Sequence, residues 1–136
     1  MKKFLLLSVA MSAVLLSGCQ TGGAKPPINT HKYGIENTAK FVLLDSGAQR
    51  SVTCMGFQEQ ANPDGSLAAV AANVRNRENR RIQVQINCEF KDGQGFVIDS
   101  TPFQNLILDE NAQQTVRFAT MNNKARSYTI RVRQAR

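Results

Sequence analysis

The chain has 136 residues, with 17 Lys and Arg against 10 Asp and Glu, a formal charge of +7 and 42% hydrophobic residues. That length suits one domain rather than two, and the apolar content is that of a folded chain and not of a disordered one. One histidine and three cysteines exclude histidine-rich metal sites from the start.

The first stretch, Met1-Lys2-Lys3 followed by Phe4 to Leu16, has the charged start and the apolar run of an export signal. A membrane-spanning helix needs about twenty apolar residues, so this run is too short to cross. It ends in Leu16-Ser17-Gly18-Cys19, which matches the lipobox of bacterial lipoproteins: small residues ahead of a thiol that takes a thioether-linked diacylglycerol. Residues 1–18 are therefore expected to be a signal peptide and Cys19 the lipidated start of the mature chain. The alternative is a plain secretory signal with an incidental cysteine. Gln20 stands where an aspartate would signal retention at the inner membrane. The expected location is the outer membrane of a Gram-negative cell, lipid-anchored and facing the periplasm.

Removing eighteen residues leaves 118, and removing the two leader lysines leaves 15 basic against 10 acidic residues, a surplus of five. In the periplasm such a surface meets anionic lipid head groups, lipopolysaccharide phosphates and peptide-stem carboxylates. Nucleic acid is not an expected partner there. A basic surface that only aids solubility is the alternative.

Residues 19–37 hold two prolines and three glycines with little apolar periodicity, and read as a flexible tether. At about 3.3 Å per residue it could reach roughly 60 Å when fully extended. Residues 38–136 form the predicted domain. A first strand is expected near Lys40 to Leu44. Asn62-Pro63-Asp64-Gly65 is a turn, with proline preset at its second position and glycine free to take positive φ, and it predicts a hairpin from about Ser51 to Asn76.

In Arg81 to Lys91, apolar Ile82, Val84, Ile86, Cys88 and Phe90 alternate with Gln83, Gln85, Asn87, Glu89 and Lys91, which marks a strand with one core face and one wet face. Asp92-Gly93-Gln94-Gly95 turns into Phe96, Val97 and Ile98. Phe103 to Leu108 is a further strand, followed by polar Asp109 to Ala112. The closing strands are Gln114 to Ala119, with Val116 and Phe118 inward, and Ser127 to Arg133, with Tyr128, Ile130 and Val132 inward. No segment sustains a 3.6-residue period. About seven short strands with turns every 8 to 12 residues predict an all-β, immunoglobulin-like antiparallel β-sandwich.

With Cys19 assigned to lipid, Cys54 and Cys88 remain as an even pair in an oxidising compartment, and a disulfide is the natural expectation. It would staple the two strands flanking the Ser66 to Asn76 strand, across two sheets or within one, a choice that the sequence leaves open. Two free buried thiols are the alternative, since sequence does not place the two Cα atoms within bridging distance.

Several of these segments carry a resemblance: Asn73-Val74-Arg75-Asn76-Arg77, then Val84 to Phe96, then Leu106-Ile107-Leu108 with a polar turn before Thr115-Val116. With the lipobox, this resembles the YcfL-like family of periplasmic lipoproteins, over roughly Val70 to the C-terminus. The resemblance implies a small immunoglobulin-like sandwich on an envelope lipoprotein and brings no functional residues with it. Cys88 departs from the pattern, standing where an aromatic or apolar residue is expected.

The chemistry available is sparse. His31 is the only histidine and lies in the tether, where no nucleophile and carboxylate can be held around it. Cys54 and Cys88 lack the spacing of a zinc or dithiol motif. The carboxylates Glu59, Asp64, Asp109 and Glu110 sit at strand ends and turns, not as a buried pair. No enzymatic activity and no cofactor beyond the lipid on Cys19 are expected.

Arginines supply the one suggestive pattern. Arg75, Arg77, Arg80 and Arg81 crowd the join between two strands, and Arg131 and Arg133 share an outward face. A planar guanidinium can grip carboxylate or phosphate at two points, so these six are candidate residues for an anionic partner. Charges that keep edge strands from pairing with other chains are the alternative. The chain thus reads as a non-enzymatic binding or assembly module of the envelope, docking on another envelope protein. The other reading is an accessory protein that contacts peptidoglycan or lipopolysaccharide directly through its arginines.

Overall fold

The computed structural model describes Glu36 and residues 38–135. The expected leader, Cys19, His31 and nearly all of the tether lie outside the described residues, as does Arg136.

The described chain is an all-β sandwich. In order, the elements are β1 (Phe41–Leu43), a short helix α1 (Ser46–Ser51), β2 (Val52–Ala61), β3 (Leu67–Asn76), β4 (Ile82–Lys91), β5 (Val97–Ser100), β6 (Gln104–Leu108), β7 (Gln113–Ala119) and β8 (Ser127–Gln134). They form a larger sheet of five strands, in which β1, β8 and β4 lie side by side and β5 and β6 share the far side of β4. A smaller sheet has the order β2-β3-β7.

The period-two alternation of β4 and β8 does what it predicts. Val84, Ile86, Cys88 and Phe90 pack inward with Tyr128, Ile130 and Val132, meeting Val52, Cys54, Val70, Val74, Val116 and Phe118 of the smaller sheet in one core cluster. At about 25 cal/mol per Å2 of apolar surface removed from water, that shared interior is the main source of stability.

Two hairpins turn by the same device. In the β2–β3 loop the Gly65 amide donates to the Asn62 carbonyl at 3.0 Å and the Asn62 amide to the Ser66 carbonyl at 2.7 Å, with Gly65 at φ +83°. In the β4–β5 loop Gly95 repeats this, donating to the Asp92 carbonyl at 3.1 Å with φ +89°. Each is a three-residue loop closed by a left-handed glycine, a common hairpin solution.

Eight strands stand where about seven are expected. The edge beside β4 is divided into β5 and β6 around Thr101-Pro102-Phe103, in line with the two separate segments of the sequence; Pro102 has no N–H to give the ladder. Thr101 bridges the gap by accepting the Cys88 amide on its Oγ1 at 2.9 Å and donating its own amide to the Cys88 carbonyl at 2.9 Å. Two expectations need correction. The sheets are not wholly antiparallel, since β1 runs parallel to β8, Phe41 beside Ile130 and Leu43 beside Val132.

The second correction concerns the cysteines. Cys54 and Cys88 are free and fully buried, with no disulfide between them. β2 and β4, which precede and follow β3 in the chain, belong to different sheets, so the two thiols enter the core from opposite sheets.

Candidate functional site

The six arginines singled out by sequence are not brought together. Arg75 projects from the outer face of the smaller sheet, level with Thr53 and Gln113, and its Nε is shielded from solvent with no hydrogen-bond partner among the described residues. Arg77 is only 7% exposed and donates Nη1 to the Gln49 and Arg50 carbonyls at 3.3 and 2.9 Å, the last turn of α1. A cation there satisfies carbonyls that the helix leaves open and opposes its dipole. It is a structural cap and not part of a surface patch.

Arg80 pairs with Glu78, which in turn accepts the Ser51 hydroxyl at 2.6 Å. The Arg80 hydrogen bond is the main reason the Glu78 carboxyl is held below the ordinary glutamate range. Arg81 lies 3.4 Å from Asp109, both well exposed, a geometry that contributes little. The loop cluster is therefore one buried cap and two surface arginines with acids beside them.

Arg131 and Arg133 do share a face, the outer side of the larger sheet, and here the structure adds partners. Register sets Arg131 beside Asn87, and Arg133 beside Gln85. Arg131 donates Nε to Asn87 Oδ1 at 3.1 Å and Nη1 to Glu89 Oε1 at 2.8 Å. Arg133 donates Nε to Gln85 Oε1 at 2.9 Å, and Gln85 donates its own amide to Asn105 Oδ1 at 3.2 Å.

Phe103, released from the ladder by Pro102, folds over this layer. Its ring centre is 3.8 Å from the Arg133 guanidinium carbon and 5.4 Å from that of Arg131, which is cation–π range. Lys91 joins the same face and donates to Thr129 Oγ1 at 2.8 Å. Alternation in β4 and β8 already placed Gln85, Asn87, Arg131 and Arg133 on one side. Phe103 carried no such signal, because its position depends on where the edge breaks.

The opposite outer face, on the smaller sheet, holds a shallow concavity of about 370 Å3 with Ala69 and Ala71 among its lining, together with Gln58, Gln60, Thr115 and Arg117. Arg117 spends one Nη2 hydrogen on Gln60 Oε1 at 2.7 Å.

Between the sheets, burial pushes the Cys54 thiol up to about 11 and the Cys88 thiol up to about 12. Neither is a thiolate near neutral pH, so neither is poised as a nucleophile. Tyr128 donates its hydroxyl to Glu59 Oε1 at 2.9 Å, and Lys40 Nζ reaches the same oxygen at 2.6 Å. These bonds, Lys40 first and Tyr128 second, hold the Glu59 carboxyl below its ordinary value. The triad joins the entry to β1 with β2 and β8. Among the described residues, no group of three His, Cys, Asp or Glu side chains is placed to hold a metal ion, and no helix is long and apolar enough to cross a membrane.

Residues 40–134 match a sequence family described as a protein of unknown function, DUF1425. The fold is similar to the crystal structure of Campylobacter jejuni cj0090, at 18% identity and a TM-score of 0.57, covering 72% of this chain and 100% of that one. It is also similar to the crystal structure of a DUF1425 family member from Shewanella sp. pv-4, at 20% identity and a TM-score of 0.54, covering 68% of this chain and 87% of that one. Likeness at such identities speaks for the fold alone. No curated protein matches the chain.

Proposed function

The chain belongs to the DUF1425 family, whose function is unknown, and from that premise we propose that it is a lipid-anchored lipoprotein of the periplasmic face of the outer membrane, acting as a non-enzymatic binding or assembly module of the cell envelope. Within the family it is of the YcfL-like kind, on the strength of the lipobox and the segments from Asn73 to Phe96.

The observation that carries the anchoring is Leu16-Ser17-Gly18-Cys19 at the end of the Phe4 to Leu16 apolar run. Gln20 in place of aspartate favours the outer membrane. Recognition in place of catalysis is supported by where the reactive groups stand. The only histidine precedes the domain, both thiols are buried and protonated, and Glu59, Glu78 and Glu89 are engaged by Lys40, Arg80 and Arg131. Direct contact with peptidoglycan or lipopolysaccharide through a single arginine-rich patch has less behind it, because the six arginines divide between two outer faces and a loop where one of them is a buried cap.

Mass spectrometry of the mature protein tests the anchor. The N-terminal peptide is expected to begin at Cys19 and to carry diacylglycerol, and Cys19→Ser is expected to move the protein from the membrane to the soluble fraction. An unmodified Cys19, or an intact leader, would overturn the proposal.

A further inference from the structure

We propose that the outer face of the larger sheet is a docking surface for a protein segment that presents a carboxylate among apolar side chains, with Arg133 as the residue that takes the carboxylate. The inference deepens the binding-module reading by assigning it a face and a partner chemistry.

Arg133 is an ordered donor with capacity to spare. Gln85 holds its Nε, Asn105 holds Gln85, and Phe103 lies flat enough against the guanidinium to bring its ring centre within 3.8 Å. No acceptor among the described residues takes its Nη hydrogens. A guanidinium fixed by stacking and by one amide has already lost the rotamer freedom that binding would otherwise cost. Arg131, two residues earlier, shows what such a donor takes on this face: it holds the carboxylate of Glu89 at 2.8 Å.

The surroundings argue for protein over polymer. Of the five large hydrophobic side chains exposed among the described residues, Val97 at 51% and Ile107 at 48% are on this face by register, beside Lys91 and Gln83. Leu44, at 45%, continues the outward parity of Val42, which pairs with Arg131. Four strands spaced about 4.8 Å apart set Leu44 and Ile107 roughly 15 Å from each other, with the arginines and Phe103 between them. An arginine and aromatic centre with apolar side chains around it is the make-up of protein-binding hot spots. A sugar or phosphate polymer has no use for the leucine, isoleucine and valine.

Charge selects the partner. Lys91, Arg131 and Arg133 outnumber Glu89 on this face, so a second copy of the same face would be repelled and an acidic surface drawn in.

The test is photo-cross-linking in living cells from a full-length chain carrying a photoreactive residue at position 107, with position 115 on the other sheet as control, followed by sequencing of the attached peptide. The expected result is a discrete protein adduct from position 107, attached at a segment with Asp or Glu beside apolar residues. Its yield should fall about tenfold or more in Arg133→Gln, as truncation of one member of a charge pair does, while the melting temperature and membrane fractionation stay unchanged. Should Arg133→Gln lower the melting temperature, Gln83→Glu, an exposed residue of this face beside Ile107 that adds a negative charge, is expected to reduce the yield instead. Polymer or lipid adducts in place of protein, or a yield indifferent to both variants, would overturn the proposal. Adducts from position 115 and none from position 107 would sink this face while leaving the binding-module reading intact; no adduct from either would sink both.

Discussion

Asn76 shows how one polar side chain can hold a junction. It is fully buried at the end of β3. Its amide donates to the Arg80, Leu108 and Asp109 carbonyls at 2.7, 3.3 and 2.8 Å, and its Oδ1 accepts the Glu78 amide at 2.8 Å. Asn76→Ala leaves those groups without partners, each at about 1 to 3 kcal/mol if water cannot reach it. The expected loss is about 3 kcal/mol or more, read as a lowered urea midpoint with unchanged far-UV dichroism; a loss below about 1 kcal/mol would show that water replaces the amide. Neither Asn76 nor Arg77 disclosed this role in sequence. A polar residue at the end of a strand looks solvated, and Arg77 looked like part of a basic patch. Only the presence of α1, six residues long and too short to show a helical period, makes Arg77 a cap.

The turns were legible because their chemistry is local. Gly65 and Gly95 both adopt the left-handed backbone that their loops require, and at Gly65 a Cβ would meet nothing within 4 Å. Gly65→Ala should therefore cost about 1 to 2 kcal/mol from backbone strain alone. Gly56→Ala, also in open space and without a positive φ, should be neutral or slightly stabilising. Differential scanning calorimetry of the two variants separates strain from crowding, and equal melting temperatures would show that the loop re-forms without its glycine. Alternation likewise identified which side of β4 and β8 faces the core. Period two says nothing about which strand lies alongside, and so the parallel pairing of β1 and the sheet to which Cys88 belongs were not readable, although the two segments that share the edge beside β4 were. The arginine face was half readable for the same reason: parity gave Arg131 and Arg133, while Phe103 depends on a break in the ladder.

The molecule as a whole buries three weak acids between its layers, Cys54, Cys88 and Tyr128, each with its proton held more tightly by burial first of all. In the unfolded chain the two thiols ionise near 9, ahead of their folded values of about 11 and 12. The native state binds more protons in that window, so their stabilising contribution is complete below about pH 9 and is lost as pH rises toward 12. Urea titrations between pH 8 and 11 should show a falling midpoint, and Cys54→Val with Cys88→Val should flatten the fall; identical slopes would mean the thiols reach solvent before the fold opens. The ladder between β1 and β8 bears on the order of assembly. Thr129 Oγ1 closes on the Ala39 carbonyl ninety residues away, so the opening segment of the domain waits unpaired until β8, the strand that closes it, has been made. A nascent chain stopped short of that point keeps one flank of its interior open to water, and long-range closures of this kind slow folding. Compaction is thus postponed until β8 is available, leaving the segments ahead of it pliable until that strand arrives.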